Sequence, residues 1–351
     1  ISAVQSGESL RLSSATLTSA QLSATAKGSL GAASQALTLE ARLANTAVLA
    51  PGFPGPLTAK GTISGQRARP SLAFEITGPG NTSATLSGST DLAFANPDLS
   101  LSGSAESALA NSFIAPQTVQ GPLRFDLALR GKPSLSGLSG KITASNARVV
   151  APTLDVILEN IDAVVTLANS RAQTDIAARL STGGTLRVTG PIGLEAPNSA
   201  DLDIVAQSLR LSDADLYETT VSGRLTLTGA LATNAALSGA LEIGETEVKI
   251  PETGISGVSE IPEIIHKSES SASFETRKRA KLIVEDSASA ARSAVLSLDV
   301  NISAPRQIFV RGRGLDAELG GGLRITGTTQ NVVPLGQFSL VRGRLDILGK
   351  R

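Results

Sequence analysis

The chain has 351 residues, and its 31 basic and 31 acidic side chains leave no formal net charge. A nucleic-acid-binding protein needs a basic surface to displace counterions, so this balance argues against a nucleic-acid partner. The absence of cysteine excludes disulfides and thiolate chemistry and removes the common zinc sites. Hydrophobic residues make up 41% of the chain but aromatic residues only 3%, which favours an extended sheet with an aliphatic face over a compact core.

Apolar and polar residues alternate along most of the chain, and this period of two predicts β-strands. Clear examples are residues 37–43, 123–129 and 296–302. No long stretch keeps the three- and four-residue spacing of an amphipathic helix, so we predict an all-β protein. The candidate groove residues on its aliphatic face are Leu123, Phe125, Leu127, Leu129, Leu186, Val188, Leu202, Ile204, Leu225, Leu227, Leu241, Ile243, Leu296, Leu298, Val300, Ile302, Leu323 and Ile325.

Five glycines share the local pattern Leu/Val-Ser-Gly, namely Gly88, Gly103, Gly140, Gly223 and Gly239. Neighbouring copies that lie close are about fifteen residues apart, which fits one strand and its turn in an antiparallel meander. One interpretation is that these glycines bend and coil the sheet. The other is that they are ordinary turn glycines.

The segment from Pro251 to Arg292 interrupts the alternation with acidic, basic and Ala/Ser-rich patches. We interpret it as a mostly mobile insertion between two strands of the same sheet. It contains the single histidine, His266, which we interpret as a solvated loop residue rather than a general base.

A short glycine motif resembles a dinucleotide-binding motif but lacks the helix that such a motif requires. Residues Gly312 to Ala317 match the dinucleotide pattern, but further glycines and another alternating stretch follow where that fold requires a helix. The apolar residues stand at even positions before Gly312 and at odd positions after Gly314, so we interpret these glycines as a β-bulge. The sequence therefore predicts a protein that is not an enzyme and has no catalytic residue, metal site or cofactor.

The last 150 residues carry a family resemblance. The stretch Asp201–Glu252 and the segments RGRGLDAELGG (311–321), TGT (326–328) and GQFSLVRGRLDILGKR (336–351) resemble the C-terminal region of the TamB family, whose members are related to AsmA proteins. The first two hundred residues are similar to the family only in their alternating, Gly/Ser-punctuated texture.

The resemblance implies a long, curved, single-layer antiparallel sheet, a β-taco, with an aliphatic concave face. It implies a periplasmic chain that an N-terminal helix, outside this sequence, anchors in the inner membrane. It also implies an outer-membrane barrel of the TamA type as a partner. We expect residues 1–250 to form a repetitive β-groove, residues 251–293 to be the insertion, and residues 294–351 to continue the groove.

Three functions are compatible with this expectation. In the first, the groove carries phospholipid between the inner and outer membranes by sheltering its acyl chains. In the second, the sheet is a platform for assembly or translocation of outer-membrane and autotransporter proteins, and it holds their unfolded strands by strand addition. In the third, the chain is a structural stalk. The first two share the same apolar face, so the sequence does not separate them.

Overall fold

The computed structural model describes residues 2–346 except residues 7–8, 32, 49, 51, 214, 232 and 252–294. All twenty of the strands in the described part belong to one sheet, which is curved and does not close. They are β1 Ser2–Ser6, β2 Ser9–Thr18, β3 Leu22–Leu30, β4 Ser34–Leu43, β5 Leu57–Gln66, β6 Ser71–Gly78, β7 Thr82–Ser89, β8 Asp98–Glu106, β9 Thr118–Gln120, β10 Pro122–Arg130, β11 Leu138–Ala151, β12 Val156–Ala168, β13 Arg171–Leu180, β14 Thr185–Gly193, β15 Ser199–Asp213, β16 Tyr217–Ala230, β17 Asn234–Lys249, β18 Ser297–Gly312, β19 Leu315–Thr328 and β20 Asn331–Leu345.

Helical structure in the described residues is confined to the connections. It consists of the short α-helix α1, Asn111–Ile114, and of four 3₁₀ turns. The turns are Thr46–Val48, Ser107–Ala110, Leu135–Gly137 and Pro152–Leu154.

The strands follow one another across the sheet in chain order, as in a meander. The one detour is at β9, which pairs with β11 in line with β10, so that Gly121 interrupts what is effectively a single strand. Neighbouring strands lie about 4.8 Å apart, so nineteen strand positions give the sheet a contour of roughly 85 Å. This is the all-β, elongated and curved sheet that the sequence predicts.

One pair departs from the antiparallel rule. β17 and β18 run parallel, with Leu237 opposite Leu298 and Leu241 opposite Ile302. Parallel neighbours cannot be joined by a tight turn, because the chain must return to the starting side of the sheet through a dozen or more residues. The predicted insertion, residues 251–293, falls in this connection and, apart from Pro251, lies outside the described residues.

The glycines at 312–314 form a hairpin, so the predicted bulge is wrong. β18 ends at Gly312, β19 begins opposite it at Leu315, and the two turn residues Arg313 and Gly314 have φ values of 51° and 81°. Two positive φ values are the signature of a two-residue type I′ turn. Residues that face each other across such a turn differ in number by an odd amount, three for Gly312 and Leu315 and seven for Val310 and Ala317. This odd difference produces the switch from even to odd apolar positions.

Strand length divides the sheet into two regions. The narrow region, β2–β10, has strands of 8–10 residues apart from the short β9, whereas the wide region, β15–β20, has strands of 14–16 residues. At about 3.3 Å per residue, the sheet is roughly 30 Å across in the first region and roughly 50 Å in the second. The two regions are joined through β11–β14.

The extra length of the wide region is separated from the rest by a line of bulges. From β3 to β8 the strand register is unbroken, whereas each neighbouring pair from β15 to β20 contains one shift. We call the positions of these shifts the bulge line; they lie near Ser208, Thr220, Gly244, Arg306 and Val341. The margin is the part beyond it: residues 209–213, 217–219, 246–250, 308–312, 315–319 and 340–345.

Candidate functional site: one apolar face of the sheet

The strand register places the predicted groove residues on one face. Residues directly opposite each other in neighbouring strands point to the same side of a sheet. Phe125 lies opposite Gly103 and Ile142, and the register continues through β11–β13 to Val188 on β14 and Ile204 on β15. In the wide region, one row across the face contains Ile204, Leu225, Gly239, Val300 and Ile325.

All eighteen predicted residues are therefore brought onto a single surface. Seventeen of them lie within β10, β14, β15, β16, β17, β18 and β19. Leu296 precedes β18 by one residue, and its carbonyl oxygen accepts a hydrogen bond of 2.9 Å from the backbone N–H of Thr329, in the connection after β19.

The exposure of this face is that of a groove rather than of a closed core. Leu202 and Val300 are buried, at 8% and 7% exposure, and the other sixteen predicted residues are half-buried. In a β-sandwich a second sheet about 10 Å away would bury such inward residues. Here every described strand belongs to the same sheet, so no second sheet covers the face within the described residues.

The opposite face of the sheet is polar and carries ion pairs. Lys60 Nζ lies 2.9 Å from Glu40 Oε1, and Arg187 Nη2 lies 2.8 Å from Asp175 Oδ2. Arg324 donates two hydrogen bonds, of 2.7 and 2.9 Å, to the carboxylate of Asp299. These bonds lower the pKa of Asp299 below its ordinary value and raise the pKa of Arg324. The sheet is thus amphipathic, with one aliphatic and one charged face.

The repeated Leu/Val-Ser-Gly glycines belong to the apolar face. All five lie inside strands, so they are not ordinary turn glycines. At Gly239, which lies opposite Val300, φ is +137°, and an added Cβ would lie 2.3 Å from the carbonyl oxygen of Arg224. Gly88 has φ of +136° and the same close approach, 2.1 Å, to the carbonyl oxygen of Asp98. The backbone at these points excludes any larger residue.

The buried hydroxyl groups of three threonines on the apolar face, Thr174, Thr219 and Thr246, are satisfied by the protein itself. Thr174 Oγ1 donates to the carbonyl oxygen of Gly190 at 2.8 Å. Thr219 Oγ1 and Thr246 Oγ1 lie 2.6 Å apart within hydrogen-bonding distance of each other. A ligand beside these three threonines would consequently meet no buried hydroxyl in need of a partner. Among the described residues, a buried hydroxyl without a partner is that of Ser107, in the turn after β8.

The polar face of the margin carries an ionic cluster that the sequence analysis did not identify. Arg311 pairs with both Glu247 and Asp316, which links β17, β18 and β19. Arg342 Nε lies 2.6 Å from Glu318 Oε2, and Arg344 Nη2 lies 3.4 Å from Asp316 Oδ2. The side chains of this cluster other than Glu247 border an open cavity of about 480 Å³. The signal in the sequence was the placement of acidic residues on β17 and β19 and of arginines on β18 and β20.

The described residues offer neither a metal site nor a membrane-spanning helix. No group of three or more His, Asp or Glu side chains among them is placed to hold a metal ion. No helix in that part of the chain is long and apolar enough to cross a bilayer.

An unclosed, single-layer sheet with one continuous aliphatic face defines the class of open β-groove proteins. Residues 172–351 match the family model described as the TamB C-terminal domain. The match covers 351 − 172 + 1 = 180 of the 351 residues, and the chain belongs to the TamB family. No curated protein and no solved structure matches the chain.

Membership of the family gives the function in general terms. TamB proteins act in the transport of proteins or lipids and in assembly in the periplasmic part of the cell envelope, and they are not an enzyme family. The family implies a TamA-type partner and transported substrates.

Proposed function

We propose that the chain carries phospholipid between the inner and outer membranes with the acyl chains on the apolar face. The observation that supports this proposal is the continuity of that face: half-buried aliphatic residues follow one another through the register of neighbouring strands from β2 to β19. Each methylene group removed from water contributes about 0.8 kcal/mol, so an acyl chain gains from such a surface along its whole length.

The apolar face and the rim of the open groove favour different parts of a phospholipid. The aliphatic face offers no free buried hydroxyl at Thr174, Thr219 or Thr246, which suits a ligand without hydrogen-bonding groups. The charged headgroup stays in water at the rim of the open groove, because burying it without a partner is costly. The eighteen groove residues then bind by contact area alone.

A second function, a platform that holds unfolded strands of an outer-membrane client, is favoured by β20. This strand is exposed along its whole length, and within the described residues only β19 pairs with it. It carries exposed apolar side chains on both faces, such as Leu335 at 54% and Leu340 at 64%. An apolar strand with an open edge is the structure to which a further strand adds.

A pair of adjacent substitutions on β18 tests the lipid proposal. Leu298→Arg places a guanidinium on the apolar face, and Ser297→Arg places the same group on the exposed polar face one residue away. In an open groove the long stem lets the charge reach water, so both variants should fold and melt within a few degrees of the wild type. We expect Leu298→Arg, but not Ser297→Arg, to lose the phospholipid that native mass spectrometry detects on the purified chain.

The outcomes separate the candidates. A folded Leu298→Arg variant with undiminished phospholipid would remove this face from the lipid path. If that variant keeps its lipid but no longer crosslinks to unfolded outer-membrane protein, the platform is the better account. Loss of folding in Leu298→Arg alone would mean that the face is a sealed core, because an unpaired buried charge destabilises by about 3–5 kcal/mol.

A further inference from the structure

The apolar face does not end at the bulge line. On the margin the same face continues with half-buried aliphatic side chains, among them Leu211, Val248, Ile308, Val310, Leu315 and Leu319. The apolar face of the wide region thus consists of two adjacent aliphatic strips. The main strip contains the apolar-face residues before the bulge line, and the margin strip contains those of the margin. The narrow region from β3 to β8 has no such line and a single strip.

Two threonine hydroxyl groups, hydrogen-bonded to each other, lie at the boundary between the two strips. Thr219 and Thr246, both buried, face each other across β16 and β17 at the start of the margin, and their hydroxyl groups bond to each other. Beside them the backbone bends out of regular register, with positive φ at Ser208 and Gln307. Bulges of this kind kink a strand and re-aim its side chains, so the two strips are separate surfaces.

The margin strip has the dimensions of an acyl chain. It crosses six strands, β15–β20, whose five spacings of about 4.8 Å give a length of roughly 24 Å. One leaflet of a bilayer, half of a hydrocarbon core of about 30 Å, is roughly 15 Å thick. The strip is therefore long enough for one acyl chain that lies along the sheet beside a chain in the main strip.

We propose that the wide region binds lipids with two acyl chains, one chain in the main strip and the other in the margin strip. This inference rests on the proposed lipid function and adds the class of lipid that the wide region selects. A single-chain lipid takes the main strip, because the main strip contains more residues of each strand than the margin strip does. The narrow region has room for one chain.

The test compares two half-buried residues on the same strand and face. Ile302 lies in the main strip and Val310 in the margin strip, and Ser212, exposed on the polar face of the margin, supplies the control. The full chain and its Ile302→Arg, Val310→Arg and Ser212→Arg variants are titrated with a diacyl phospholipid and with the single-chain lysophospholipid of the same headgroup.

The expected pattern has two parts. Ile302→Arg should weaken the binding of both lipids by about tenfold, whereas Val310→Arg should weaken the diacyl lipid by about tenfold and leave the lysophospholipid within about twofold. Ser212→Arg should change neither. Equal losses for both lipids in Val310→Arg, or no loss for either, would overturn the two-strip inference. A wild-type chain that binds neither lipid would instead overturn the proposed function itself.

A crosslinking measurement covers the case in which Val310→Arg does not fold. A photoreactive side chain at Leu319, on the margin strip of β19, replaces one apolar group with another of similar polarity. An adduct with the diacyl phospholipid supports the inference. Adducts that contain only protein, including this chain itself, would overturn it, because the strip would then be covered by polypeptide.

Discussion

The narrow and wide regions have the same strand pattern and apolar face, but the strands of the wide region are longer. Both alternate aliphatic and polar residues, and both place glycines with positive φ on the apolar face, such as Gly88 and Gly239. The wide region adds about five residues to each strand, a bulge line, and an ionic cluster on the polar face of the added margin. The comparison shows that a β-groove can be widened by appending a margin to each strand without a second sheet.

The largest expected effect comes from changing the register at the bulge line. Deletion of Arg306 alone moves Phe309 and Arg311 to the apolar face and turns Ile308 and Val310 to water, because a shift of one residue exchanges the faces of a strand. We expect this deletion to lower the free energy of unfolding by at least about 3 kcal/mol, as a charge enters the apolar face without its partners. Urea denaturation measures the loss.

A double deletion is the matched control. Removing Arg306 together with Gln307 keeps the alternation of β18, so Ile308 and Val310 stay on the apolar face and the loss of stability should be clearly smaller. Equal losses for the single and double deletions would show that the length of the bulge, and not the identity of the face, is what the wide region requires.

An intermediate effect is expected where the regions differ in the burial of their ion pairs. In the wide region the side chain of Glu318 is only 10% exposed, although that of Arg342 is 77% exposed, whereas Glu40 and Lys60 in the narrow region are 58% and 61% exposed. Arg342→Ala leaves a nearly buried carboxylate without its cation and should cost about 1–3 kcal/mol. Lys60→Ala should cost less than about 1 kcal/mol.

Salt separates the two pairs in the same experiment. Salt screens an interaction between two exposed charges more than one in which a single partner is buried, so 1 M NaCl should abolish the effect of Lys60→Ala and reduce that of Arg342→Ala less. Two equal, salt-sensitive losses would mean that the cluster on the margin stabilises no more than an ordinary surface pair.

The smallest expected effect is on the stability of the folded protein at acid pH. Arg324 holds the pKa of Asp299 below its ordinary value through two hydrogen bonds. A lowered pKa in the folded state contributes stability that is present above the unfolded pKa and is lost as the pH falls through the folded value. The wild type should therefore lose slightly more stability than Arg324→Gln between about pH 5 and pH 2, where aspartate titrates. Parallel thermal midpoints for the two proteins across this range would contradict the role of the pair.

The alternation of apolar and polar residues was sufficient to predict most of the strands and the residues that share the apolar face. Leu296 to Ile302 alternate so regularly that their common face follows from the period of a strand alone. The parallel pairing of β17 with β18 could not be predicted in this way, because alternation is identical in parallel and antiparallel strands. The hairpin at Arg313 and Gly314 was visible as a change of parity, but a bulge changes parity as well.

The bulge line and the ionic cluster also lay beyond the sequence analysis. At Ser208 and Gln307 the positive φ occurs at residues that carry no glycine signal. Glu318 and Arg342 are 24 residues apart, and their pairing depends on the register of β19 and β20. Such features depend on which strands become neighbours. The sequence predicts that pairing only where a recognisable turn connects two strands.

The most direct test of the central claim is a residue-by-residue photocrosslinking scan along β10 of the intact chain in cells. β10 has four apolar-face residues, Leu123, Phe125, Leu127 and Leu129, and between them the polar-face residues Arg124, Asp126 and Ala128. The open-groove account predicts phospholipid adducts at every second position, on the four apolar-face residues only. Adducts of equal yield on both faces, or protein adducts in place of lipid on the apolar face, would contradict it.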